Sequence, residues 1–284
     1  MDMANAFGLG MDPGAVALLA AALLVAGAVV GFMSGLLGIG GGGILVPVLY
    51  ETFTALGVDS SIRMHMALAT SLAVIVPTSL RSFSSHRAKG SVDIAVLRRM
   101  GPWVVLGVGL GTLTAGNVSG TVLKWVWVVF GSIMAAKMWF GRDDWRLGLD
   151  IPASFGVAIF AAMVGYVSVL ISIGGAAFIV AFMTLYGRPL LQAVGTSSGF
   201  GPLIAIPGVI GYIWVGWGAP GLLPLSVGYV SLLGAALIIP MSVLVAPLGV
   251  RMAHGISKRR LEQAFALFLF VVVVRFLTIL FWGS

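Results

Sequence analysis

The stretch Gly38-Ile39-Gly40-Gly41-Gly42-Gly43 interrupts an otherwise apolar part of the chain. Five glycines in six positions disfavour a continuous helix, because glycine loses the most backbone entropy on ordering and adds no side-chain packing. A shorter echo of this stretch, Ser172-Ile173-Gly174-Gly175-Ala176-Ala177, begins 134 residues later. The two stretches therefore predict a pair of broken helices at matching places in two halves of the chain.

The composition places these breaks inside a membrane. Hydrophobic residues make up 60% of the 284 residues and charged residues only 9%, whereas a soluble domain carries about 25% charged residues. We therefore predict an all-α polytopic protein of the lipid bilayer. Broken backbone is tolerated in lipid only where protein buries it or where it lines a cavity. Two matched breaks accordingly indicate a binding site near the midplane of a transport protein.

Ten apolar segments are predicted, and the second and seventh of them are short and begin at the glycine breaks. Their approximate bounds are 15–37, 43–57, 65–83, 97–115, 121–140, 152–172, 175–187, 189–213, 222–248 and 258–282. A short apolar segment that follows a break is typical of a discontinuous transmembrane helix.

The two halves of the chain repeat short motifs in the same order. Val30-Gly31-Phe32-Met33-Ser34 aligns with Val164-Gly165-Tyr166-Val167-Ser168, and Ala69-Thr70-Ser71 aligns with Gly195-Thr196-Ser197. Such self-similarity indicates an internal repeat. The predicted organisation is an N-terminal extracytoplasmic segment at 1–14, a first transmembrane repeat at 15–141, a cytoplasmic linker at 142–151 and a second transmembrane repeat at 152–284.

Basic residues predict how the segments are oriented, because lysine and arginine favour the cytoplasmic side. Of the 16 basic residues, 13 lie in or beside four loops that can share this side if the short segments count as crossings. Both termini then lie outside, and the two five-helix repeats are inverted relative to each other because five is odd. The alternative is eight spans with two re-entrant hairpins and parallel repeats. In either case we expect a multi-pass protein of the cell inner membrane, and no aromatic-basic interleaving indicates a nucleic-acid partner.

The chemistry predicted at the breaks is the binding of a small anionic substrate. A helix that begins at a break presents unpaired backbone N–H groups and partial positive charge, which favour an anion. Hydroxyl side chains nearby can donate further hydrogen bonds. The alternatives are that the glycines only allow helices to cross closely and that the hydroxyls only cap helices or bond to neighbouring helices. The candidate substrate-binding residues are Ser34, Gly40, Gly41, Gly42, Gly43, Thr70, Ser71, Ser168, Gly174, Gly175, Thr196 and Ser197.

Three charged residues within apolar segments are candidates for coupling or for the substrate pathway. Glu51 could carry a coupling proton, because intramembrane carboxylates are functional candidates. Lys137 and Arg275 could contact the anion on its route or extend toward the interface. We expect no catalytic residue, metal or other cofactor. A passive anion channel and, from another class, an intramembrane enzyme remain alternative interpretations.

The motifs resemble the TauE/SafE family of sulfite-exporter-like proteins. The likeness rests on Gly31-Phe32-Met33-Ser34-Gly35 leading into the first glycine stretch and on the later Ala69-Thr70-Ser71, and it extends over about residues 15–280. The second stretch departs from it, with Ala176 and Ala177 where further glycine is expected. The resemblance implies transport of anions such as sulfite or organosulfonates, described in the family as export and as coupled to the proton gradient.

Overall fold

The structure is a computed structural model, and it describes residues 13–37, 42–140, 147–148, 150–152, 154–252 and 258–282. These residues form ten helices and one short hairpin. In chain order they are α1 (Pro13–Leu37), α2 (Gly42–Ala55), α3 (Ser60–Ala88), α4 (Ile94–Asn117), α5 (Gly120–Phe140), α6 (Phe155–Ile171), α7 (Ala176–Leu185), α8 (Leu190–Val215), β1 (Ser226–Val227), β2 (Val230–Ser231), α9 (Leu232–Met252) and α10 (Lys258–Trp282). The prediction of an all-α polytopic membrane protein is confirmed.

Six of the described helices, namely α1, α3, α4, α5, α8 and α9, are long and apolar enough to cross a membrane. The central helix is α3, since 67% of the residues in its most apolar window are buried, compared with 33% in α1. It packs against α8, which runs in the opposite direction. Large apolar side chains are exposed on the outer helices, for example Leu113 and Ile133, as lipid contact requires.

The basic ends of several helices meet on one face of the bundle. Lys89 follows α3, and its Nζ donates to the carbonyl of Val250 near the end of α9 at 3.2 Å. Arg259, at the start of α10, donates through Nη2 to the carbonyl of Trp139 near the end of α5 at 2.6 Å. We call this the basic face and the other side the opposite face. The opposite face carries the loop at 216–231.

Close approach between α1 and α9 depends on glycine. A Cβ at Gly31 would lie 2.2 Å from the carbonyl oxygen of Ser242, and a Cβ at Gly249 would lie 2.1 Å from that of Phe32. Any larger residue would collide with backbone at these two positions. The two helices run in parallel, from the opposite face to the basic face.

The same packing recurs between α6 and α4. A Cβ at Gly165 would lie 2.1 Å from the carbonyl oxygen of Val104, and a Cβ at Gly111 would lie 2.8 Å from that of Tyr166. The α6 residues stand 134 positions after their α1 counterparts, and the α9 residues stand 138 positions after those of α4. This second pair runs from the basic face toward the opposite face, which is the reverse direction of α1 and α9.

Apart from the start of α9, the helix bounds lie within five residues of those of the predicted segments. The segment predicted at 222–248 starts too early, because α9 begins at Leu232. The preceding residues form turns and the hairpin in which Ser226 pairs with Ser231. Gly228 occupies the left-handed region there, with φ at +54°, so the apolar run before it could not continue a helix. The short helices α2 and α7 begin at the two glycine breaks, as predicted.

Candidate binding site at the paired helix breaks

The two breaks touch each other at mid-depth in the bundle. A Cβ built on Gly42, the first residue of α2, would lie 1.5 Å from the carbonyl oxygen of Ser172 and 3.2 Å from Cδ1 of Ile75. Ser172 belongs to the second break, and Ile75 lies next to the middle of α3. Backbone therefore meets backbone at this point, and only glycine fits.

The second break has a sharply bent backbone. Ser172 ends α6 in the left-handed conformation, with φ at 51° and ψ at 36°, and Gly175 adopts φ of 65° directly before α7. A non-glycine residue in this region stores on the order of 1 kcal/mol of strain or more. No side chain caps the start of α7, and a Cβ at Gly175 would lie 3.1 Å from Oγ of Ser168.

Both short helices start at this depth and lead away from it toward different faces. The helix α2 leads to the opposite face and α7 to the basic face. The first backbone N–H groups of an α-helix have no acceptor within the helix. Two such sets, at Gly42–Ile44 and Ala176–Phe178, therefore lie on either side of the contact between the breaks. Their helix dipoles favour negative charge between them.

Three serine hydroxyls around the breaks are fully buried and have no hydrogen-bond partner among the described residues: those of Ser71, Ser168 and Ser172. The Ser168 hydroxyl borders Gly175. Ser71 lies one turn before Ile75, on the face of α3 that meets Gly42. An unsatisfied buried hydroxyl costs about 1–3 kcal/mol. Such groups are rare in folded proteins unless a ligand or water completes them, so these three hydroxyls are candidate contacts for a ligand.

The predicted threonines form tertiary contacts. The Thr70 hydroxyl accepts a hydrogen bond from the backbone N–H of Ser231 at 3.0 Å, directly before α9. The Thr196 hydroxyl accepts one from the backbone N–H of Asp93 at 2.8 Å, directly before α4. Ser197 donates to the carbonyl three residues earlier at 2.8 Å. These three hydroxyls therefore have protein partners, unlike that of Ser71.

Another pair of contacts links the central helices to the ends of α1 and α6. His86 of α3 places Nε2 3.2 Å from the carbonyl oxygen of Gly35. Tyr212 of α8 donates its hydroxyl to the carbonyl of Val169 at 3.3 Å. Tyr212 stands 126 positions after His86, and Val169 stands 134 positions after Gly35. The offsets are those of the repeated motifs.

The remaining predicted binding residues are Ser34 and four glycines. Ser34 is buried near the end of α1, where its carbonyl accepts from the Ser82 hydroxyl at 3.4 Å. Gly43 and Gly174 are buried beside the breaks. Gly40 and Gly41 lie outside the described residues.

The three predicted pathway residues do not come together at the breaks. Arg275 donates to both carboxylate oxygens of Glu51, at 2.8 and 3.3 Å. About half of each side chain is exposed. Lys137 lies near the basic end of α5 and is exposed. No group of three or more histidine, aspartate or glutamate side chains within the described ranges could hold a metal ion.

Two residues that the sequence reasoning missed stand out in the structure. Ser172 adopts a left-handed conformation and has an unpartnered hydroxyl; its place directly before the second glycine pair was the available signal. Lys124 in α5 is only 7% exposed. Its place within an apolar segment was the available signal, because an ionisable residue there is a candidate for function.

A multi-pass helical bundle whose discontinuous helices start near its centre has the architecture of a membrane transporter. The chain belongs to the sulfite exporter TauE/SafE family, whose model matches residues 23–276. The resemblance noted from the sequence motifs is thereby confirmed.

Relatives with the same type of name cover most of the chain. A protein of Haemophilus influenzae named "Probable membrane transporter protein" is 32% identical over 251 residues, which is 88% of this chain and 95% of the relative. A protein of Methanocaldococcus jannaschii with a similar name is 26% identical and covers 86% and 90% of the two chains. The YdhB protein of Bacillus subtilis is 24% identical over 66% of this chain and 76% of its own length. No solved structure matches the chain.

Proposed function

We propose that this protein is a secondary transporter that moves a small sulfur oxyanion or organosulfonate across the cell inner membrane by alternating access. The observation that carries the proposal is the cluster of unpartnered buried hydroxyls at Ser71, Ser168 and Ser172 beside two opposed helix starts. The family description, sulfite exporter, supports the substrate class and export as the direction.

The donors at the site favour an anion over a cation. Backbone N–H groups at a helix start can only donate, and serine hydroxyls can donate to an oxyanion. A bound cation would need oxygen acceptors instead. The carboxylate of Glu51 lies two turns beyond the first break and is engaged by Arg275. A sulfonate or sulfite group presents several acceptor oxygens around one centre, which matches donors that converge from two helices and two hydroxyl-bearing segments.

We further propose that the two halves are inverted repeats. The helix directions support this, since α1 and α9 run toward the basic face while α6 and α4 run away from it. Equivalent hydrogen bonds support it as well: Thr70 bonds to the start of α9 as Thr196 bonds to the start of α4. In such a protein the halves can exchange conformations, and a site open to one face then opens to the other.

Proton coupling, if Glu51 carries it, requires the pair with Arg275 to open during the cycle. Arg275 donates to both carboxylate oxygens of Glu51, so a proton can reach those oxygens only after the guanidinium has moved away. Measured proton movement during substrate flux, compared between the native protein and Glu51→Gln, tests this step.

Thermal-shift measurements on the purified protein test the substrate class. At constant ionic strength we expect a saturable rise in melting temperature with some of sulfite, sulfate, thiosulfate, taurine, isethionate and sulfoacetate, because a ligand that binds only the folded state stabilises it by mass action. Counterflow in proteoliposomes then tests the mechanism. Accelerated exchange of labelled substrate supports a transporter, whereas conductance without saturation or counterflow would identify a passive channel. No response to any of these anions in either assay would overturn the substrate class.

A further inference from the structure

Lys124 is a largely buried lysine whose ammonium has no acceptor among the described residues. It lies in the second turn of α5, is 7% exposed, and its Nζ has no hydrogen bond or ion pair within the described part of the chain. Its recorded contact is with the ring of Tyr50, whose centroid is 5.7 Å away. A cation over an aromatic face is stabilised by about 0.5–2 kcal/mol. A charge-assisted hydrogen bond to an anion would be a stronger partner for this ammonium.

Two further donors lie around the same residues. The guanidinium of Arg63 lies 5.5 Å from the centroid of the Tyr50 ring. Its Nε and Nη2 donate to the carbonyl of Val58, which leaves Nη1 available. Trp127, one helical turn after Lys124 on the same face of α5, is fully buried and its indole N–H has no partner in the described structure.

An aromatic cluster holds these groups together. Phe276 of α10 contacts both Tyr50 and Trp127 edge to face, at centroid distances of 5.3 and 5.1 Å. Lys124 and Trp127 on α5 therefore face the same core as Tyr50 on α2 and Phe276 on α10. These helices therefore bring together two donors, the ammonium of Lys124 and the indole N–H of Trp127, that have no acceptor among the described residues.

The carboxylates near these donors are already engaged. Glu51 is paired with Arg275. Asp59 lies at the opposite face, where hydrogen bonds from the Ser61 hydroxyl and N–H hold the pKa of its carboxyl below the usual value. Asp59 therefore stays ionised at neutral pH and offsets the charge of Arg63 in part. The three cations and two carboxylates of this region still sum to a positive charge.

We propose that Lys124, the indole N–H of Trp127 and the guanidinium of Arg63 form a second oxyanion site among α2, α3, α5 and α10. Tyr50 follows Gly42 by eight residues, which places Tyr50 and the donors around it about 12 Å along α2 from the paired breaks, toward the opposite face. An oxyanion here supplies the acceptor that Lys124 and Trp127 lack. In the proposed transport cycle this would be a staging site on the opposite-face side. That role rests on the proposed function, whereas the binding itself does not.

The test measures sulfate binding to the full chain in detergent through the rise in melting temperature. The ionic strength is held constant, with gluconate as the balancing anion. We expect Lys124→Gln to weaken the sulfate response at least tenfold, Trp127→Phe to weaken it severalfold, and Lys124→Arg to retain most of it. Arg251→Gln, which removes a charge from the basic face, is the matched control and should leave the response unchanged. Without sulfate, Lys124→Gln should melt no lower than the native protein, since it removes an uncompensated charge.

Two comparisons separate this proposal from anion binding at the breaks and from lipid binding. Ser168→Ala should weaken binding at the breaks and leave the Lys124-dependent sulfate response intact, so either site can fail alone. Native mass spectrometry then measures retention of phosphatidylglycerol. If Lys124→Gln reduces only lipid retention, the site binds a headgroup phosphate and the staging role is overturned. If both Lys124→Gln and Trp127→Phe leave sulfate response and lipid retention unchanged, the proposed site does not exist.

Discussion

Replacement of Ser168 by alanine should raise stability and weaken binding together. The Ser168 hydroxyl is fully buried beside Gly175 and has no partner in the described structure. Its removal relieves a desolvation cost of about 1–3 kcal/mol in the ligand-free protein. The same change removes a donor to the bound oxyanion, and a hydrogen bond to a charged group contributes about 1.5–3 kcal/mol. The affinity should therefore fall roughly 10- to 150-fold.

The assay is the melting temperature with and without the anion that gives the largest shift on the native protein. Ser242→Ala is the matched control, because Ser242 is equally buried but its hydroxyl bonds to Thr78 at 2.7 Å and to the carbonyl of Ile239 at 2.9 Å. We expect the control to melt lower than the native protein and to bind the anion with unchanged affinity. The two substitutions should thus shift the melting temperature in opposite directions, which a general effect of serine removal cannot produce.

Either of two outcomes would refute a ligand contact at Ser168. If Ser168→Ala melts lower than the native protein, like the control, and keeps its affinity, the hydroxyl has an internal function and does not belong to a ligand site. If Ser168→Ala is more stable but binds normally, the breaks are a strained packing contact, and the anion binds elsewhere.

Further predictions concern the packing that holds the breaks in place. Gly31→Ala and Gly165→Ala should each prevent accumulation of folded protein, since the added Cβ would lie about 2 Å from a carbonyl oxygen of the facing helix. Size-exclusion chromatography in detergent measures this. The control is Gly109→Ala, whose Cβ would meet nothing within 4 Å and which should behave like the native protein. Thr70→Val and Thr196→Val should each cost about 1–3 kcal/mol by leaving a helix-start N–H unpaired, seen as similar drops in melting temperature; a drop for only one would contradict their equivalence.

The sequence was sufficient for the elements that follow from composition and backbone chemistry. The glycine run and its echo predicted where α2 and α7 begin, because consecutive glycines disfavour helix irrespective of their neighbours. The start of α9 was predicted wrongly. An apolar stretch of hairpin and turn has the hydropathy of a span, and its end is set by a left-handed glycine at position 228.

Side-chain function at the site was harder to predict than backbone breaks. Thr70 and Ser71 are neighbours of the same type, yet one accepts a bond from Ser231 and the other has no described partner. That difference depends on which helix packs on each face of α3, and a contact between residues 161 positions apart leaves no local pattern. The burial of Lys124 could not be predicted for the same reason, since packing by neighbouring helices is a tertiary property.

The cross-packing of the helices has a consequence for biogenesis. Two helices of the first half, α1 and α4, take their main partners, α9 and α6, from the second half. The Thr70 hydroxyl likewise gains its hydrogen-bond partner only when the start of α9 is synthesised, 161 residues later. The first five helices can therefore enter the membrane one after another but cannot reach their final arrangement until α6 and α9 have been synthesised. Until then the glycine-lined face of α1 stays open to lipid or to a membrane-protein chaperone, and a chain truncated before α9 should be a substrate for quality-control proteolysis.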